Sequence, residues 1–187
     1  GEWTATFICF INFILLFIAD YTWKKIRYNS ILQLLIYIFL ISSLVGGEVY
    51  FLYVRFKYFD VIMHVLSSFI ASGLIYYLFK LYKGNIINDL FVLFIFSFAM
   101  MVAGIWEITE FYIDRIFEVD MQKDTIVENI NSSLLSSDGK SIVKKNINNM
   151  EIGEYTTPGY LDIGLYDTIG DMVCAVIGSI VFIFIGK

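Results

Sequence analysis

From Leu90 to Ile105 the chain carries no charged residue, and four other stretches are nearly as apolar. A backbone buried in hydrocarbon must satisfy its own N–H and C=O groups, which leaves only helices or a closed barrel. At 1.5 Å per residue, about 20 apolar residues cross a ~30 Å hydrocarbon layer, so runs of this length select helices. The residue balance agrees: 58% of the 187 residues are hydrophobic and 18% aromatic, against roughly 45–50% apolar in a soluble domain. The expected fold class is therefore all-α, a polytopic membrane bundle of about five transmembrane helices forming a single integral membrane domain over 1–187. The spans are expected at 4–19, 31–53, 59–79, 90–113 and 164–185.

The first span is the shortest, closed by Asp20 and followed by Lys24, Lys25 and Arg27. Basic residues after the apolar stretch are the reverse of a secretory signal. The chain opens on Gly1 rather than Met, which fits a trimmed or processed start. Cys9 and Cys174 both fall in apolar runs and read as small packing residues, not as a disulfide. Gly170, Cys174 and Gly178 recur at every fourth position, as do Ser68 and Ser72, an interval that lets membrane helices approach closely.

Between the fourth and fifth spans lies a polar segment, 118–162, rich in Asn and Ser and ending near Pro158-Gly159. It is expected to be one long polar loop with a mobile middle around Gly139. Lys24, Lys25, Arg27, Lys80, Lys83 and Lys187 sit on one side of the spans, and Arg55, Lys57, Arg115 and Lys123 on the other. That balance leans towards a cytoplasmic first set, which places the polar loop outside. A net charge of -5 argues against a nucleic-acid partner, so the expected partner is the lipid bilayer.

In an up-and-down bundle, one membrane face gathers the end of span two, the start of three, the end of four and the start of five. Those ends carry Glu48; Asp60 and His64; Glu107, Glu110 and Asp114; and Asp167 and Asp171. Asp60 and His64 are i, i+4 neighbours, as are Asp167 and Asp171, while Glu107, Glu110 and Asp114 share a helix face. A charge deep in a span costs about 2.5–3.5 kcal/mol even on the milder insertion scale. Seven acids at these ends of spans two to five face three basic side chains and one imidazole, so protons or a metal must supply positive charge. Carboxylates with one imidazole suit a divalent ion such as Mn, Fe, Zn, Mg or Ca. The candidate ligands are Asp60, His64, Glu107, Glu110, Asp114, Asp167 and Asp171. A structural salt-bridge cluster with Arg55, Lys57 and Arg115 is the plainer alternative.

The order Asp60-x-x-x-His64, "GIWEITEFYID", "DMQKDT" and "GLYDTIGDMVCAVIGS" resembles the YjdF-type bacterial inner-membrane proteins over about 59–179. The resemblance marks Asp60, His64, Trp106, Glu107, Glu110, Asp114, Gln122, Gly164, Asp167, Thr168, Asp171 and Gly178, and implies a bacterial cytoplasmic-membrane location. It supports the grouping of acids and supplies no reaction.

Two functions of different class fit these residues. A metal at the site could activate water and polarise a phosphoryl or acyl oxygen of a lipid-linked or amphiphilic substrate, with Glu107 as catalytic general base. Alternatively, the acids form the cation or proton site of a carrier. A non-catalytic scaffold or sensor using the polar loop is a third reading. The charge-free opposite half of spans three to five favours a fixed site over a carrier.

Overall fold

The computed structural model describes residues 2–83 and 89–186; Lys187, counted above in the charge balance, lies outside them, as do the side chains of residues 2–4 and Lys83. Among the described residues, five helices are long and apolar enough to cross a membrane: Ala5–Ile26, Ser30–Val49, Phe59–Tyr82, Asp89–Phe117 and Leu165–Ile185. The chain is thus a multi-pass membrane protein, mostly helical. Phe7, Phe10, Phe13 and Phe17 of the first span are 61–70% exposed, an apolar stripe suited to lipid tails and costly in water.

Two compact units divide the chain: residues 1–106 with 170–187, and Glu107–Ile169. In the first, α1 spans Glu2–Ile26, α2 Ser30–Leu40, α3 Leu52–Arg55 and α4 Phe59–Lys83; α5, Asp89–Phe117, and α6, Leu165–Ile185, each give it part of their length. The expected end of span one at Ala19 is corrected to Ile26. Lys24 pairs with Asp20 at 2.7 Å one turn away, so charge near the end extends the helix instead of closing it. Arg27, at φ 56, turns the chain out in the left-handed region. Tyr28 then folds back, its hydroxyl donating to the Ala19 carbonyl at 3.0 Å, and the Asn29 side chain accepts from Leu32 N to cap α2.

Span two is not one regular helix over 31–53. After Leu40 it widens into a π-helical segment, Ile41–Val49, and Phe51 at φ 56 separates that segment from α3. The Asn12 amide of α1 donates to the Leu40 carbonyl at 2.6 Å, supplying a partner where the hydrogen-bond ladder changes pitch. Spans three and four also run longer than expected, to Lys83 and Phe117.

The packed interior has two centres. Ala19, Tyr28, Leu32, Ile36 and Ile70 join α1, α2 and α4. Ile75, Tyr76, Phe91, Ile95 and Phe182 join α4, α5 and α6, with Tyr76 and Phe182 edge to face at 5.8 Å. Beside them α4 and α6 meet through small residues: Ser72 and Ser179 are fully buried and hydrogen-bonded at 3.1 Å. A Cβ on Gly178 would fall inside the Val65 carbonyl oxygen and 3.0 Å from its carbon, so only glycine permits this approach. Both cysteines are free, Cys174 buried in α6 and Cys9 exposed on α1.

The second unit corrects the all-α expectation and the long polar loop. Within 118–162 lie six short strands: β1 Thr125–Val127, β2 Asn129–Ser132, β3 Val143–Asn146, β4 Met150–Ile152, β5 Tyr155–Thr157 and β6 Tyr160–Asp162. β1 pairs antiparallel with β6, β2 with β3 and β4 with β5, so two hairpins sit inside a closing pair. Strands of three or four residues cannot display a period-2 hydrophobic pattern, and their Asn, Lys and Thr content hides them. Around Gly139, the expected mobile middle, the Asp138 carboxylate accepts from the Lys140 and Ser141 amides and forms a turn.

Candidate metal centre and the acidic clasp

Asp60 stands in the first turn of α4 and His64 one turn further, so the i, i+4 spacing brings both side chains to one face. Asp171 lies on α6, six residues after its start at Leu165. His64 and Asp171 are therefore about 7–9 Å along their helices at 1.5 Å per residue. The two helices run parallel here. His64 meets Asp171, and eight residues later on each helix Ser72 meets Ser179.

The imidazole sits between the two carboxylates. His64 Nε2 is 3.4 Å from Asp60 Oδ1 and 3.4 Å from Asp171 Oδ2, with side-chain exposures of 11%, 14% and 6% for His64, Asp60 and Asp171. One donor atom from each residue lies within 4.8 Å of the others. A direct charge-assisted hydrogen bond would be shorter, about 2.7–2.9 Å, and Nε2 has only one hydrogen to share. Atoms bound tetrahedrally at about 2.1 Å from one ion stand about 3.4 Å apart, so the observed spacing has the size of a coordination shell. The donor set is mixed nitrogen and oxygen, suited to a divalent ion. His64 is the only histidine in the chain.

The other acids expected at the site belong to the second unit. Glu107 and Glu110, one helical turn apart on α5, are 5% and 7% exposed. Asp114 is engaged by the backbone: Oδ1 accepts from Met121 N at 2.7 Å and Oδ2 from Gln122 N at 3.0 Å. Asp167 Oδ2 accepts from Lys123 N at 2.9 Å, and the Gln122 amide donates to Thr168 Oγ1 at 2.6 Å. The chain reverses into this clasp through Glu118, left-handed at φ 53 just after α5 ends. Gly164, at φ 128, leaves room for Gln122, whose Cβ would be 2.8 Å from a Cβ at that glycine.

Asp114, Gln122, Asp167 and Thr168 thus stitch residues 121–123 to the ends of α5 and α6. Burial, then the charges of Asp124, Asp114 and Asp167, push the Asp120 carboxyl above its usual range. Among the basic residues weighed as partners for these acids, Arg115 lies over the Phe111 ring at 5.5 Å and Lys57 over Tyr58 at 5.7 Å. Glu48, at the end of the π segment, is exposed. Gln122 and Thr168 were marked only by the resemblance; their link depends on a chain reversal that no local spacing encodes.

No curated protein and no solved structure matches this chain. A family model described as "Predicted membrane protein (DUF2238)", the YjdF-like family, matches residues 1–187, and the chain belongs to that family.

Proposed function

We propose that this protein, set in the bacterial cytoplasmic membrane, binds a divalent cation through Asp60, His64 and Asp171 and uses it in hydrolysis or group transfer on a lipid-linked, amphiphilic substrate. The observation that carries the proposal is the pair of 3.4 Å separations about His64 Nε2, joining two helices at one depth. Three protein donors leave coordination positions open, as catalytic rather than closed structural sites do. One imidazole with two carboxylates favours Mn, Fe or Zn over Mg and Ca, which prefer all-oxygen surroundings.

A bound ion with an open position would polarise a phosphoryl or acyl oxygen. Asp60 and Asp171 would hold the positive charge, and His64 would tie the two helices to it. The position of His64 and Asp171, one to two turns inside α4 and α6, suits a substrate whose head group is at the interface and whose chain is in lipid. A carrier needs ligands reached from both faces, and a set confined to the N-terminal ends of two parallel helices favours a fixed site. Glu107 is proposed as the general base on sequence grounds.

Elemental analysis of protein purified without chelator tests the proposal. Wild type is expected to hold about one divalent ion per chain and the near-isosteric Asp171→Asn variant far less, with thermal unfolding confirming that the variant is folded. A Glu107→Gln variant is expected to keep the metal and lose turnover of amphiphilic phosphate or acyl esters. Wild type lacking stoichiometric metal after divalent ions are offered removes the proposal.

A further inference from the structure

The tip of the β2–β3 hairpin joins three features unused by the metal set. Leu134, Leu135 and Ile142 are exposed at 89%, 53% and 69%. Lys140, Lys144 and Lys145 lie in the same stretch, so residues 132–146 hold three cations and one acid in a chain of net charge -5. That acid is turned into the tip. Asp138 accepts from Ser136 Oγ at 2.7 Å, from the Lys140 and Ser141 amides at 2.8 Å each, and from Ser141 Oγ. These donors hold its carboxyl well below the usual carboxylate range. Leu134 N also donates to Ser132 Oγ at 3.1 Å, and Ser136 N to the Ser133 carbonyl at 3.1 Å. The apolar side chains are therefore displayed on a hydrogen-bonded turn and flanked by ammonium groups.

We propose that this tip docks on the anionic lipid head groups of the bilayer the protein spans. Leu134, Leu135 and Ile142 enter the head-group layer, and Lys140, Lys144 and Lys145 meet lipid phosphates. Exposed apolar groups flanked by lysines bind such a surface through the two contributions together, burial and attraction to negative charge. The segment is tethered at both ends to spans, by α5 ending at Phe117 and α6 beginning at Leu165, so a bilayer surface is always at high effective concentration. The metal assignment plays no part in this inference.

The test places a nitroxide on the full chain. A Cys9→Ser background keeps the buried Cys174, whose own labelling is measured on that background; Leu134→Cys carries the probe and Glu154→Cys, in the β4–β5 turn, is the solvent control. Protein in nanodiscs of phosphatidylcholine, alone or with phosphatidylglycerol, is compared by oxygen and nickel-chelate accessibility. The expected result is a several-fold higher oxygen-to-nickel ratio at position 134 than at 154 with phosphatidylglycerol. The difference should vanish in phosphatidylcholine alone and in a triple Lys140→Gln, Lys144→Gln, Lys145→Gln chain. Equal nickel access in both lipids overturns the proposal, as does oxygen exposure indifferent to phosphatidylglycerol. A label shielded from both reagents overturns it in favour of a protein contact.

Discussion

Replacing Gly178 with alanine should weaken the proposed metal site from about 10 Å away, seven residues along α6 from Asp171. The added Cβ would overlap the Val65 carbonyl oxygen and lie 3.0 Å from its carbon and 3.2 Å from Phe69 N, all backbone atoms that no rotamer change can move. Carbon-to-oxygen contacts begin near about 3.3 Å, so α4 and α6 must part by on the order of 1 Å. Moved as a rigid pair, the Ser72–Ser179 bond at 3.1 Å would break, and the His64–Asp171 separation would grow from 3.4 Å towards roughly 4.4 Å. Asp60 and His64, both on α4, would stay together. Overpacking of this kind costs typically about 1–3 kcal/mol of stability, and losing one of three donors should lower divalent affinity at least ~10-fold.

Gly170→Ala supplies the control on the same helix, since a Cβ there meets nothing within 4 Å. It should be neutral or stabilising by up to about 1 kcal/mol. Both variants are read by calorimetric titration with Mn or Zn and by thermal unfolding in detergent. Wild-type affinity in Gly178→Ala, with stability unchanged, would refute the idea that this glycine sets the spacing of the donors.

Ser72→Ala or Ser179→Ala alone should destabilise by about 1–3 kcal/mol, because each strands a fully buried hydroxyl. The double variant should recover much of that loss, and a thermal-unfolding cycle measures the coupling. Asp114→Asn should disturb the turn at 121–122 and leave metal content unchanged, since its two oxygens serve the Met121 and Gln122 amides; amide exchange and elemental analysis check the two halves. The Asp138 carboxyl titrates lower in the folded turn than its usual 3.8. Its contribution is therefore complete above that value and lost as pH falls through the folded value, so slowed exchange at the Lys140 and Ser141 amides should persist at pH 5 and fade in strong acid.

Much of the candidate site was legible because membrane helices impose simple arithmetic. The i, i+4 spacing of Asp60 and His64 survives any detail of packing, and counting spans brings Asp171 to the same end. The carboxylates of Asp114 and Asp167 looked equivalent to these on spacing. Their backbone partners at 121–123 come after a chain reversal at Glu118, which adopts a left-handed conformation. The strands of the polar segment were hidden for a related reason. Asn129 pairs with Asn146 and Thr125 with Asp162 across intervals that leave no periodic trace. Asp20 misled in the opposite direction: read as a stop, it is a helix-extending partner of Lys24. The start of the π segment of span two meets a partner from another helix, the Asn12 amide on the Leu40 carbonyl, which no local propensity contains.

The single histidine allows a direct test of the proposed metal centre. Pulsed electron paramagnetic resonance on protein loaded with one equivalent of Mn should show nitrogen coupling from one imidazole, absent in His64→Gln. A spectrum of the hydrated ion without nitrogen coupling, or coupling that persists in His64→Gln, would contradict coordination by Asp60, His64 and Asp171.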